Sequence, residues 1–237
     1  MEKMPLEKTS NSAKWRFLIT YGICTVFGLT MYILVLVWNT HFRGGFAWTS
    51  DIMLMMNWHP VLLILGLSVF YSQSILVFRL GRNFPKKILK LIHMSLNLIA
   101  FILSVIGLKA AFNMRTATGE QHLYSLHSWI GFLTVLFFAA QFAFGFVTYL
   151  YPGLPASIRA ASMPVHRAGG KAIFLMGLVA TATGLMTKAS MVLPNYSEMS
   201  SEAYVVNFIA LFLVVFSGLA LYLVNAPAYR RIPLPND

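Results

Sequence analysis

Six long apolar windows constrain this chain more than any other feature of its sequence. They cover roughly residues 17–38, 52–78, 88–112, 123–150, 165–187 and 204–224, and each supplies the about 20 residues that a helix needs to cross a bilayer's hydrocarbon core. The composition agrees with lipid as the solvent. Of the 237 residues, 58% are hydrophobic and 11% charged, whereas soluble domains carry about 25% charged residues. The chain therefore reads as an all-α integral membrane protein with six transmembrane helices. Its parts are an N-terminal leader at 1–16, a transmembrane domain at 17–224 and a C-terminal tail at 225–237, with no internal repeat or second domain visible. The first window is longer than a signal-peptide core and has no small-residue cleavage site after it, so it is read as a retained anchor. A single cysteine, Cys24, lies inside that window, which rules out an internal disulfide, an iron–sulfur cluster and a multi-cysteine zinc site. Cys24 is read as packing.

The net charge of +11 reports topology and not nucleic-acid binding. Fourteen of the eighteen Lys and Arg residues fall on one side of the six spans, in the leader, between Arg79 and Lys90, between Arg159 and Lys171, and at Arg230 and Arg231. Arg43, Lys109, Arg115 and Lys188 fall on the other side, balanced by Asp51, Glu120, Glu198 and Glu202. The positive-inside rule then puts the basic side, with both termini, in the cytosol. The glycosylation sequon Asn195-Tyr196-Ser197 falls in the last outer loop, in agreement with this orientation.

Four of the six histidines lie inside predicted spans: His59, His93, His127 and His166. Ionisable groups in a membrane are costly and point to function. Spacings of 34, 34 and 39 residues put each near the N-terminal end of its own helix. Consecutive helices run in opposite directions, so His59 and His127 pair near the outer surface while His93 and His166 pair near the inner one. Two imidazoles without carboxylate or thiolate do not fill a tetrahedral zinc site, whereas haem needs two axial ligands. Glycines follow the histidines at helical spacing, among them Gly131 and Gly145 after His127, Gly170, Gly177 and Gly184 after His166, Gly66 after His59 and Gly107 after His93. They offer notches for a flat macrocycle, or else ordinary small-residue helix contacts. The expectation is a haem-binding core of helices 2–5, flanked by helices 1 and 6, with two haems. With no C-x-x-C-H sequence these are haem b. A histidine proton relay, as in a proton-coupled transporter or channel, is the alternative, although no span has Asp or Glu in its middle.

On the inner side Lys86 and Lys90 share one face of the third helix's first turns, with Lys90 three residues before His93. Together with Arg159 they offer charge to a monoanionic reductant or a haem propionate, next to helix N-terminal N–H groups. They also suit anionic-lipid contact. On the outer side His41, Arg115 and His122 are candidates to face an acceptor, and Tyr124 and Trp129 suit an aromatic belt.

His122-Leu123-Tyr124-Ser125-Leu126-His127-Ser128-Trp129 resembles the Leu-Tyr-Ser-Leu-His-Ser-Trp signature of the cytochrome b561 family of ascorbate-dependent transmembrane oxidoreductases. Arg43-Gly44-Gly45-Phe46-Ala47-Trp48 and Asn57-Trp58-His59-Pro60 resemble the stretch that leads into that family's first haem ligand. The resemblance implies a six-helix homodimer with two b haems, held by His59 with His127 and by His93 with His166. It implies cytosolic ascorbate bound through Lys86, Lys90 and Arg159, with Arg79 neutralising an inner-haem propionate. Arg230 matches a C-terminal Lys, and residues His122, Leu123, Tyr124 and Ser125 line the outer haem. The acceptor it implies is monodehydroascorbate or a ferric chelate, at a plasma, secretory-vesicle or endolysosomal membrane. The chain departs from the family at Arg115, near which ferric reductases carry a histidine. It departs again at Gly184-Leu185-Met186-Thr187-Lys188, which replaces Gly-Leu-x-Glu-Lys. Both changes weigh against ferric reduction.

Overall fold

Each apolar window coincides with one long helix of the computed structural model, which describes residues 11–231. The helices are α1 (Asn11–Phe42), α2 (Ile52–Leu80), α3 (Lys86–Thr118), α4 (Leu126–Tyr149), α5 (Ala156–Val192) and α6 (Ser201–Asn225), all long and apolar enough to cross a membrane. Even α4, the shortest, spans about 36 Å at ~1.5 Å per residue. Residues 11–16 of the expected leader are already helical; the rest of it, with Lys3 and Lys8, and tail residues 232–237 lie outside the described residues.

Local chemistry sets the helix ends. Asp51 caps α2 by accepting from the N–H groups of Met53 and Leu54, and Ser125 and Ser128 form a reciprocal capping box at the start of α4. α3 stops at Gly119, whose φ of 70° is the left-handed conformation that glycine adopts freely. α5 begins nine residues before the apolar window and runs through Pro164. Apolarity marks the part of a helix that lipid surrounds and not where the hydrogen bonding begins. His166 is therefore the eleventh residue of its helix, well inside and not near the end.

α1 and α6 pack tightly against each other. A Cβ on Gly28 would stand 2.8 Å from the Phe216 ring, and Cys24 is buried in the same seam, consistent with its reading as packing. This pair flanks α2, which lies against α3 and α5, while α4 lies along α5. Leu67, Tyr71, Phe138 and Phe174, all buried, fill the middle.

The first and last described segments meet on one face, the termini face. Tyr229 stacks on Phe17 at 3.7 Å, and its hydroxyl donates to the Lys14 carbonyl at 3.0 Å. Arg79 donates to the Ala226 carbonyl, and Arg231 to that of Phe84 at 3.0 Å. The described acidic residues, Asp51, Glu120, Glu198 and Glu202, all belong to the opposite, far face. There Glu202, buried, accepts from Trp38 Nε1 at 2.6 Å and pairs with Arg43 at 2.7 Å.

Candidate functional site

The four intramembrane histidines meet as two pairs, at opposite ends of the core formed by α2–α5. The ring centres of His59 and His127 are 5.9 Å apart toward the far face, and those of His93 and His166 are 6.3 Å apart toward the termini face. Two metal–imidazole bonds of about 2 Å, with the half-width of a ring added at each side, span roughly 6 Å, so one metal atom fits between each pair.

Three of the four rings are held in the same way. His59 Nδ1 lies 3.1 Å from the Gly107 carbonyl of α3, and His93 Nδ1 lies 2.9 Å from the Ser74 carbonyl of α2. His127 Nδ1 lies 2.9 Å from the Ala180 carbonyl of α5. A carbonyl oxygen only accepts, so these three rings carry their proton on Nδ1 and keep Nε2 bare for a metal. His166 Nδ1 meets instead the side-chain amide of Gln141 in α4, at 3.0 Å. Thus α2 and α3 hold each other's histidine, as do α4 and α5. The holding group follows the histidine of its own helix by 14 residues in α3, α4 and α5, and by 15 in α2. Fourteen residues are nearly four turns and about 21 Å. The extra residue in α2 is taken up where Ile64–Phe70 widens into π-helical turns. The sequence reading found no internal repeat; the two hairpins nevertheless repeat this arrangement.

A cavity opens beside His59 and His127 and is lined by His122, Leu123, Tyr124 and Ser125, and also by Arg43, Arg115 and Lys188. The Asn57 side chain fixes one wall by donating to the carbonyls of Arg43 and Gly45, which explains the two short motifs before His59. Arg115 pairs with Glu120 at 3.0 Å and stands 4.8 Å over the Tyr124 ring. His122 stacks on Phe112, while His41 is not among the cavity's lining residues. Trp129 is exposed, as a belt residue would be. On the termini face Lys90 is within electrostatic reach of Lys86 and of Arg159, and it donates to the Tyr149 carbonyl at 2.9 Å. Arg79 is likewise within reach of Arg167 and of exposed Arg230.

The family model of eukaryotic cytochrome b561 matches residues 58–192, a stretch that contains all four histidines and all four groups that hold them. The chain belongs to the cytochrome b561 family. A lysosomal membrane ascorbate-dependent ferrireductase of Bos taurus is 36% identical over 223 residues, covering 92% of this chain and 83% of that protein. A transmembrane ascorbate ferrireductase of Arabidopsis thaliana is 37% identical over 210 residues, 87% of this chain and 91% of its own. A plasma membrane ascorbate-dependent reductase of Xenopus tropicalis is 36% identical over 219 residues, 91% of this chain and 77% of its own.

Membership makes haem b the cofactor class of this cytochrome b561, and the residues fit it. Among the described residues no group of three or more His, Cys, Asp or Glu gathers as a metal site, so each histidine pair suits axial ligation and not a tetrahedral zinc. The relay alternative meets no carboxylate, because the histidines' partners are carbonyls, a serine and an amide. Four of the glycine notches are arranged differently from the expectation. Gly145 faces His166, with a Cβ 3.1 Å from its ring, and Gly184 faces His127 at 2.6 Å. Each makes room for the histidine of the neighbouring helix. Gly66 and Gly107 instead receive neighbouring helices, meeting Ala100 and Leu63. Gln141 was missed from the sequence; its signal was a lone amide in an apolar span, 14 residues after His127.

Proposed function

We propose that this cytochrome b561 moves single electrons from cytosolic ascorbate across a membrane to monodehydroascorbate or ferric iron on the far side. The observation that carries the reading is the pair of facing imidazole couples at opposite ends of one four-helix core, with cations gathered beside one of them. Two haem b groups are proposed, one held by His59 and His127, the other by His93 and His166. Bound there, haem would supply one-electron oxidation and reduction, and His59 with His127, or His93 with His166, would leave no open position for O₂.

The protein's own residues supply the rest. The carbonyls at Nδ1 of His59, His93 and His127 leave Nε2 of those rings for the metal, and the buried apolar middle keeps water from between the two levels. Lys86, Lys90 and Arg159 attract the ascorbate monoanion, which gives up one electron and one proton to become monodehydroascorbate. Arg79 and Arg230, with Arg167, offer charge to a haem propionate on the same side. His122, Leu123, Tyr124 and Ser125 line the far-face site, where Lys188, beside Arg43 and Arg115 in their ion pairs with Glu202 and Glu120, offers charge to an anionic acceptor or a ferric chelate. The excess of basic residues beside the termini supports a cytosolic location for both. A homodimer, implied by the resemblance, is part of the same proposal and is checked by cross-linking in native membranes.

The test begins with a pyridine haemochrome spectrum of purified protein, which should give two b haems per chain, with one lost in His127→Ala or in His93→Ala. Vesicles loaded with ascorbate should then reduce an external ferric chelate. One haem per chain in the parent protein, or two in both variants, overturns the assignment.

A further inference from the structure

We infer that Gln141 is a positioning residue that sets the donor strength of His166, and so the redox potential of the haem at the termini level alone. The inference rests on the haem reading above and deepens it.

The first ground is register. Gln141 stands in α4 where α3 and α5 present the carbonyls of Gly107 and Ala180, and where α2 presents Ser74, to the histidine of a neighbouring helix. Three rings are held by a main-chain acceptor that cannot turn. The fourth is held by a side chain whose two ends differ, one donating and one accepting. The second ground is the space built for it. A Cβ on Gly169 would stand 3.2 Å from Gln141 Oε1, and one on Gly170 would stand 3.6 Å from its Nε2, so two adjacent glycines of α5 leave the amide its seat.

The third ground is the hydrogen bonding. Gln141 Nε2 donates to the His166 carbonyl at 2.7 Å while lying 3.0 Å from His166 Nδ1. A ring that binds metal through Nε2 carries its proton on Nδ1 and needs an acceptor there. Half a turn about the Cγ–Cδ bond brings Oε1 to that place, at the cost of the bond to the carbonyl. The acceptor at His166 is therefore weaker than the fixed carbonyls at the other three rings. A weaker acceptor makes a less electron-rich imidazole, which favours the reduced form of the metal it binds.

Redox titration of the purified protein, followed in the visible haem band, tests this. Gln141→Glu supplies a stronger acceptor and should shift one midpoint potential downward. Gln141→Met, close in size and with only a weakly accepting thioether, should shift the same one upward. The other potential should stay in place, and haem content should remain two per chain. The potential that moves should be the one missing in His166→Ala. If Gln141→Glu loses haem, Gln141→Met decides alone. Retained haem with neither potential moved, or with both moved equally, overturns the role of Gln141 and leaves the haem assignment standing. Two haems retained in His166→Ala overturns both.

Discussion

A Cβ on Gly184 would stand 2.6 Å from Cε1 of His127. The imidazole edge occupies the place of the missing side chain, and it is also tied to Ala180 at 2.9 Å, so it has little freedom to retreat. Gly184→Ala should displace the ring and cost about 1–3 kcal/mol, the usual range for overpacking. The haemochrome spectrum should report loss of the far-level haem with the other retained. Gly145→Ala, at 3.1 Å from His166, should be milder and keep both.

Breaking the Trp38–Glu202–Arg43 cluster should cost more. Glu202 is 8% exposed and joins α1, the loop before α2 and α6. Glu202→Gln leaves the Arg43 charge without its partner in a partly buried place, a change that costs about 3–5 kcal/mol where burial is complete. Thermal unfolding in detergent should show a clear fall, with both haems present before the transition.

Removing the cations near His93 should act on the substrate and not on the fold. Lys86→Ala and Arg159→Ala should each raise the KM for ascorbate several-fold while leaving reduction by dithionite unchanged. Equal slowing by both reductants counts against anion capture.

Tyr229 gives a pH dependence. Burial pushes its hydroxyl above the ordinary tyrosine range, against an opposing pull from Arg82. A group whose folded value is raised contributes fully below its unfolded value, about 10, and loses that contribution as pH rises through the folded one. The bond to the Lys14 carbonyl should therefore hold from pH 6 to pH 9 and fail only in strong alkali. Tyr229→Phe keeps the stack on Phe17 and should cost about 1 kcal/mol at neutral pH, with a flatter fall in melting temperature above pH 10.

The spans and the four histidines were legible because lipid demands long uninterrupted runs, and because an imidazole among Leu, Ile and Phe stands out. The groups that hold the rings were not. Three are main-chain oxygens, at Ser74, Gly107 and Ala180, and a carbonyl leaves no mark on residue identity. Gly145 and Gly184 were found but credited to their own helices' histidines, since helical spacing says which residues share a face and not which neighbour that face meets. Glu202 reads in the sequence as an outer-surface charge, yet Trp38, 164 positions earlier, takes it inside.

The mutual hold between α2 and α3, and again between α4 and α5, makes each hairpin a ruler. Sliding α3 by a single residue, about 1.5 Å, would pull Gly107 from His59 and His93 from Ser74 in the same movement. The distance an electron must travel is thus written into helix register. Loops can lengthen or shorten without altering it, whereas one residue inserted between His93 and Gly107 would put the two ends out of step unless a π-helical turn took it up, as in α2.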